Sequence, residues 1–175
     1  MAEPSRRART LGDLRSDLSS RPLSGGGREA SGLSMATLLA GIDGTGPTLD
    51  STYEVEFRNS FVRRLCPATD PTRWYKRGPT GPGTGLVTAV EEGTGFIQEL
   101  YKPGIRVLLT GYSRGALGVL AIAQRLHAAD IPVEAVMLFD AVARHPLLDA
   151  EVIPPNVRHV LHIMRDPSTR SRLSF

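Results

Sequence analysis

The sequence predicts an α/β fold in which a mostly parallel sheet of about four to six strands carries helices on both faces. Four apolar runs have the length of buried strands, at 36–40, 105–110, 134–139 and 157–164. Helical patterns lie between them, at 52–65, 86–101 and 114–128. Strands that alternate along the chain with helices are typical of a parallel sheet covered on both sides.

The first of these helices has a start signal and a repeating apolar pattern. Ser51 and Glu54 have the spacing of a capping box, which predicts the start of the helix at this point. Phe57, Phe61 and Leu65 then recur every four residues. One face of a single continuous helix would carry all three aromatic and aliphatic side chains.

Two connections are rich in glycine. Residues 41–46 follow the first strand and form a loop in which the backbone can turn sharply and approach a ligand. Residues 66–85 contain many prolines and glycines and predict a loop long enough to be functional or mobile. Within it, Trp74 and Tyr75 either line an acyl site or anchor the loop in the core.

Composition limits the classes of function. The formal charge of +3 is mild, the arginines are scattered, and no aromatic residues are interleaved with them, so we expect no nucleic-acid partner. The single cysteine, Cys66, excludes an internal disulfide and closes an apolar stretch, which predicts a buried thiol. We expect no membrane span and no cleavable secretory signal, and therefore a cytoplasmic location by default.

The N-terminal residues differ from the rest of the chain. Residues 1–34 are rich in Arg, Ser and Gly and poor in aromatic residues, which predicts a disordered tail. Residues 35–175 have the composition of one globular domain. Because Met35 stands where the predicted domain begins, one hypothesis takes it as the true start, in place of Met1.

The pentapeptide Gly111-Tyr112-Ser113-Arg114-Gly115 carries most of the functional information. It follows the apolar run at 105–110 directly and precedes a helix rich in small residues. A strand that runs through G-x-S-x-G into a helix is the nucleophile elbow of the α/β-hydrolases. The alternative is an ordinary glycine-rich turn between a strand and a helix. We interpret Ser113 as a nucleophile.

Several segments, taken together, resemble the catalytic domain family of bacterial type VI secretion lipase effectors, an α/β-hydrolase group. The elbow matches a Gly-Phe-Ser-Arg-Gly-Ala form, with Tyr112 in place of phenylalanine. The other matching segments, in chain order, are the Asp-Gly-Thr-Gly loop at 43–46, a Thr-Asn-Val-like helix at 59–65, a Tyr-x-x-Gly-x-Gly-Thr-like loop at 75–85, and Phe-Asp-x-Val at 139–142. The resemblance covers about residues 36–165.

The resemblance implies that Ser113 attacks an acyl carbonyl. In this chemistry two backbone amides stabilise the oxyanion, one from the residue after the serine and one from a loop after an earlier strand. These positions are Arg114 and either Asp43 or Gly44. Two alternatives stay open for the 41–46 loop: a glycine turn shaped for packing alone, or a loop ordered by hydrogen bonds of the Asp43 side chain.

The acid and the base are less well defined. Asp140 follows the strand after the elbow, at the sheet edge where active groups collect, and could orient the base or cap the following turn. His145 follows in a loop on the same edge and is the candidate base, against a purely structural role on the surface. The remaining histidines are expected to be structural: His127 at a helix end, and His159 and His162 at the start and middle of a strand, on opposite faces.

These patterns predict a serine hydrolase of carboxylic esters, lipase- or phospholipase-like by resemblance, with no metal or organic cofactor. Lipid or another ester is the implied substrate, and a secretion system is the implied partner, with export as an effector. The family's His-x-x-Val-Gly-Gly-like segment is missing from this sequence. Three interpretations follow: a form truncated after the strand at 157–164, a compact arrangement that uses His145 or His162, or an inactive hydrolase-like domain that binds a partner.

Overall fold

Five parallel strands form one sheet in the computed structural model, which describes residues 36–142, 148, 150, 152–166 and 168. The strands are β1 (Thr37–Ile42), β2 (Arg73–Lys76), β3 (Arg106–Tyr112), β4 (Val133–Phe139) and β5 (Val157–Ile163). Their order across the sheet is β2-β1-β3-β4-β5, and every neighbouring pair is parallel. The predicted α/β class and the parallel sheet are confirmed.

Among the described residues, four helices connect the strands and lie on both faces of the sheet. They are α1 (Asp50–Phe57), α2 (Phe61–Leu65), α3 (Leu86–Leu100) and α4 (Arg114–Ala128). On one face α3 and α4 pack together, and a Cβ placed at Gly118 of α4 would lie 2.9 Å from Ile42 Cδ1. On the other face, a Cβ placed at Gly41 would lie 2.7 Å from Val62 of α2.

The core lies between the sheet and the α3–α4 pair. Leu38, Ala40 and Ile42 alternate along β1 and pair in register with alternate residues of β3, including the buried Val107 and Leu109. The period of two places these side chains on one face, against the buried stripe of α4. Burial of each large aliphatic side chain contributes roughly 1.5–3 kcal/mol, which fixes the β3–α4 connection that carries Ser113.

The predicted helix over 52–65 is wrong in two respects. The chain forms two helices, α1 and α2, with a break at 58–60. Ser60 caps the second helix, because its Oγ accepts the Arg63 N–H at 3.1 Å. The capping box is also absent, since α1 begins after Leu49 and Ser51 lies inside the helix. The four-residue spacing of Phe57, Phe61 and Leu65 thus extends over two separate helices, because a new helix begins after Ser60.

The predicted loop at 66–85 contains a strand. Trp74 and Tyr75 lie in β2, which pairs with β1 through Leu39, Ala40, Gly41 and Ile42. This strand has only four residues, with a charged residue at each end, and it lies at the edge of the sheet. Short, charged strands are typical of sheet edges and give little apolar signal in the sequence. Trp74 packs against the core, and Tyr75 contacts the candidate site described below.

Other predictions concern single residues and the termini. Cys66 is buried, as predicted, and burial raises the pKa of its thiol to about 12. Within the described part of the chain no helix is long and apolar enough to cross a membrane. The predicted tail at 1–34 and both candidate starts, Met1 and Met35, lie outside the described residues.

Candidate active site

Ser113 lies at a sharp turn between the last residue of β3 and the first residue of α4. Its backbone angles are φ 54° and ψ −124°. A positive φ is uncommon for a residue with a Cβ and costs on the order of 1–3 kcal/mol. The predicted strand–turn–helix context of the elbow is therefore present, together with the strained serine that this turn requires.

Close backbone approach explains the two glycines of the elbow. A Cβ at Gly111 would lie 2.6 Å from the Cα of Ala116, in the first turn of α4. A Cβ at Gly115 would lie 2.3 Å from the carbonyl oxygens of Ile42 and Asp43. These contacts bring the N-terminus of α4 against the end of β1, so the elbow and the 43–46 loop form one site.

The backbone of Ser113 is held by its neighbours at the sheet edge. Its N–H donates to the Phe139 carbonyl at 2.9 Å, and its carbonyl accepts the N–H groups of Ala116 at 3.1 Å and Val142 at 3.2 Å. The side chain is 1% exposed, and among the described residues no group hydrogen-bonds Ser113 Oγ. Within the described structure the hydroxyl is thus buried and has no hydrogen-bond partner, on a backbone held by three hydrogen bonds.

The Asp43 carboxylate organises the loop beside the serine. Its Oδ1 accepts the N–H of Gly44 at 3.0 Å. Its Oδ2 accepts the Tyr75 hydroxyl at 3.1 Å and the Ser60 hydroxyl in a short contact. The main-chain N–H of Asp43 donates to the Lys76 carbonyl at 3.1 Å, within the β1–β2 ladder. Asp43 and Gly44 are the two alternatives for the second oxyanion donor, and the amides of both are engaged. The catalytic role of these amides and of the Arg114 amide stays a prediction.

Burial dominates the electrostatics of Asp43. It raises the pKa of this carboxyl above its ordinary value of 3.8, because removal from water disfavours the charged form. The hydrogen bonds from Ser60, Gly44 and Tyr75, and the nearby charge of Arg63, act in the opposite direction and only partly offset the effect. The folded protein therefore binds a proton at Asp43 more tightly than the unfolded chain does.

Replacement of Asp43 by asparagine tests this imbalance. Because the folded pKa is raised, the stability that wild-type Asp43 contributes is fully present below about pH 4 and is lost as pH rises through the folded pKa. The free energy of unfolding of the wild type, relative to Asp43→Asn, should fall by about 1.4 kcal/mol per pH unit between the two pKa values. Urea unfolding between pH 3.5 and 7 measures it, and a difference independent of pH would contradict the account.

Tyr53 joins the two loops that border the site. Its buried hydroxyl donates to the Gly44 carbonyl and accepts the Gly78 N–H, both at 2.8 Å. Its ring stacks on Phe57 at 4.1 Å between centroids, and the Arg77 guanidinium lies 4.1 Å from the ring centre. Burial is the main cause that raises the pKa of this phenol above its usual range, so the hydroxyl stays protonated and able to donate.

The side chain of Arg114 fastens the segment after β2 to the elbow. Its Nη1 donates to the Gly81 carbonyl, with a longer contact of 3.5 Å to the carbonyl of Thr80. Gly78, in the same segment, packs directly on the backbone of residues 43–44. Arg114 therefore has two structural roles: it is the first residue of α4, and its guanidinium positions a neighbouring loop.

Asp140 lies at the predicted sheet edge, directly after β4. Its backbone has a φ of 45°, and its N–H donates to the Ile163 carbonyl at 2.7 Å. Its half-buried carboxylate lies 3.8 Å from Arg165 Nη2. Phe139, the residue before it, contacts the Ser113 backbone. The structure thus places Asp140 next to the site, and its role as the orienting acid stays a prediction.

The histidines are distributed unevenly around this edge. His145 lies outside the described residues, so its predicted role as base stays a prediction. His127 lies in the last turn of α4, as predicted. His159 and His162 occupy opposite faces of β5, also as predicted, but His162 is next to last in the strand instead of in its middle. Its Nε2 accepts the Ala141 N–H at 3.4 Å.

Sequence reasoning missed the residues that shape the loops. Tyr53 and Arg77 belong to no functional motif in the sequence. The motif at the elbow gives a role to the main-chain amide of Arg114 and none to its side chain. Thr45 Oγ1, in the same loop as Asp43, is buried and has no hydrogen-bond partner among the described residues. Only the Asp-Gly-Thr-Gly pattern signalled this loop. No group of three or more His, Cys, Asp or Glu suited to a metal ion occurs in the described part of the chain.

Comparison with known proteins gives distant structural likenesses. No family model and no curated protein matches the sequence. Similar solved structures include ClbQ from the colibactin NRPS/PKS pathway, at 14% identity and a TM-score of 0.37 over 64% of this chain and 48% of that chain. RedJ, with a PEG molecule bound in its active site, gives 18% identity and a TM-score of 0.37, over 76% of this chain and 55% of that one. A cutinase-like protein from Cryptococcus sp. gives 15% identity and a TM-score of 0.37, over 73% of this chain and 76% of that one.

This chain spans about half the length of the first two of these structures. The α/β fold of this chain is shown by its own five-stranded parallel sheet.

Proposed function

We propose that the protein is a serine hydrolase of carboxylic esters that acts through an acyl-enzyme on Ser113. The observation that carries the proposal is the positive-φ serine between β3 and α4, beside the 43–46 loop. Such a turn presents one hydroxyl at the N-terminus of a helix, where negative charge is favoured. No other described serine combines this backbone conformation with this position.

In the proposed reaction, Ser113 Oγ attacks the ester carbonyl and loses its proton to a base. The tetrahedral oxyanion accepts the main-chain N–H of Arg114, in the first turn of α4, where amides have no partner within the helix. The second donor comes from the 43–45 loop. Gly44 can supply it once its N–H exchanges the Asp43 carboxylate for the oxyanion. Collapse expels the alcohol, and water then releases the acid.

His145 is proposed as the base and Asp140 as the acid that orients it. Val142 donates its N–H to the Ser113 carbonyl at 3.2 Å, and His145 follows three residues later. Three residues of extended chain span at most roughly 10 Å, so the length of the chain permits His145 to reach the serine. Asp140 precedes the same contact in the sequence, two residues before Val142.

An acyl chain is proposed as the substrate group beside the serine. Phe139, whose carbonyl accepts the Ser113 N–H, stacks on Phe61 with ring centroids 5.2 Å apart. Phe61 is 65% exposed, which is unusual for a large aromatic side chain in a packed domain. Together with the resemblance to lipase effectors, this aromatic pair supports a lipid ester, and the same resemblance supports export as an effector.

A matched set of histidine variants tests the proposed base. His145→Gln should lower kcat for a p-nitrophenyl ester by about 10²- to 10⁴-fold, the usual contribution of a general base. His127→Gln, at the exposed end of α4, should leave the rate within twofold of wild type. A full rate in His145→Gln, with the loss found in His162→Gln instead, would overturn this assignment and transfer the role to the end of β5.

The second candidate is a hydrolase-like domain that binds a partner and does not turn over esters. The engaged amides of Asp43 and Gly44 favour it, because an oxyanion hole needs backbone donors that are free to bind the substrate oxygen. The two candidates differ in one result. Ester hydrolysis that depends on a histidine supports the enzyme, and a folded protein with no histidine-dependent rate supports the binding domain.

A further inference from the structure

An arginine-rich cavity lies outside the proposed catalytic residues. It has a volume of about 440 Å³ and is bordered by α2, the turn after it and β2. The lining includes four arginines, at positions 58, 63, 64 and 73, together with Trp74 and Tyr75. Among the described residues, none of those assigned as nucleophile, oxyanion donor or acid lines it.

The charges in this cavity are only half compensated. Glu54 forms a short ion pair with Arg63, and Asp70 pairs with Arg73 at 3.2 Å. Within the described residues, no carboxylate pairs with Arg58 or Arg64. Two of the four guanidinium groups, those of Arg58 and Arg64, therefore have no carboxylate partner within the described residues. Clustered positive charges repel one another, and an anion bound between them reduces this repulsion.

One guanidinium nitrogen also lacks a partner. Arg63 Nη2 bonds Glu54, whereas Arg63 Nη1 is buried and has no hydrogen-bond partner among the described residues. A buried donor of this kind costs on the order of 1–3 kcal/mol until it is satisfied. The Arg63 guanidinium lies 5.4 Å from the centre of the Tyr75 ring, so it is held beside the aromatic wall of the cavity.

We propose that this cavity binds a phosphoryl group, as a phosphate monoester. Such a group carries a charge of about −1.5 to −2 at neutral pH, which the unpaired guanidinium groups of Arg58 and Arg64 can compensate. Its tetrahedral oxygens suit the planar fork of several guanidinium groups better than a single carboxylate would. The volume is that of a small-molecule site, so the cavity has room for an organic part against Trp74 and Tyr75.

The same chemistry can come from a soluble metabolite or from a lipid headgroup, and the test separates them. Isothermal titration calorimetry with inorganic phosphate and with glycerol 3-phosphate, at low ionic strength, measures the soluble arm. Flotation with phosphatidylcholine vesicles, with and without phosphatidic acid, measures the lipid arm. Binding of glycerol 3-phosphate without vesicle binding identifies a soluble ligand, and binding to phosphatidic acid vesicles alone among the vesicles identifies a headgroup.

Exposed arginines provide variants that leave the core intact. Arg58→Gln and Arg64→Gln should each weaken phosphate binding at least tenfold, since a charge-assisted hydrogen bond is worth about one such factor. Arg125→Gln removes one exposed positive charge from α4, away from the cavity, and should change the affinity less than twofold. Absence of phosphate binding by the wild type, or equal loss in all three variants, would overturn the proposal. Because binding is measured without hydrolysis, the result is independent of the proposed enzyme activity.

Discussion

Replacement of Ser113 by alanine should reduce ester hydrolysis at least about 10³-fold, the largest effect expected for any single substitution in this protein. The alanine variant has no Oγ, so no acyl-enzyme can form. The oxyanion donors persist, which leaves a small residual rate. Hydrolysis of a p-nitrophenyl ester, with protein folding checked by circular dichroism, measures the change.

Ser51→Ala is the matched control for this experiment. Ser51 is exposed in α1 and contacts none of the groups assigned to the reaction. Its replacement should leave the rate unchanged within twofold. If Ser113→Ala kept the wild-type rate in a folded protein, the assignment of the elbow serine as nucleophile would be wrong.

Gly78→Ala should produce the largest loss of stability expected here, together with a loss of hydrolysis. A Cβ at this position would lie 2.0 Å from the Gly44 carbonyl oxygen and 2.2 Å from that of Asp43. Both are backbone atoms, so relief requires displacement of the loop beside Ser113. We expect a loss of about 3 kcal/mol in the free energy of unfolding, measured with urea, at the upper end for overpacking.

Gly81→Ala separates this contact from a general effect of glycine loss in the same segment. A Cβ at Gly81 would meet no atom within 4 Å, and its carbonyl, which accepts from Arg114, is unchanged by the substitution. The variant should keep wild-type stability within about 0.5 kcal/mol. Equal losses in Gly78→Ala and Gly81→Ala would refute the proposed packing of this segment on the 43–44 turn.

The elements with strong local signals could be predicted from the sequence. The β3–turn–α4 unit has an apolar strand, two glycines and a helix rich in small residues, and each signal supports the same structure. The end of β4 was located for the same reason, which placed Asp140 at the correct edge. Misplacement of α1 and α2 arose because three apolar residues kept a helical period across the Ser60 cap.

Residues far apart in the sequence determine the rest of the site, and their contacts leave no local pattern. Tyr53 bonds Gly44 and Gly78, and Asp43 bonds Ser60 and Tyr75, over separations of 9 to 32 residues. β2 was not predicted, because a four-residue edge strand buries too little apolar surface to give a recognisable pattern in the sequence. Such features are visible only once the sheet brings these segments together.

A fluorophosphonate probe, followed by intact-mass analysis and peptide mapping, tests the central claim most directly. Phosphonylation requires an activated serine and does not depend on knowledge of the natural ester. We expect a single adduct on the peptide that contains Ser113, and we expect this adduct to be absent in the His145→Gln variant. A folded protein that takes up no probe, or takes it up on another residue, would contradict the assignment of Ser113 as a catalytic nucleophile.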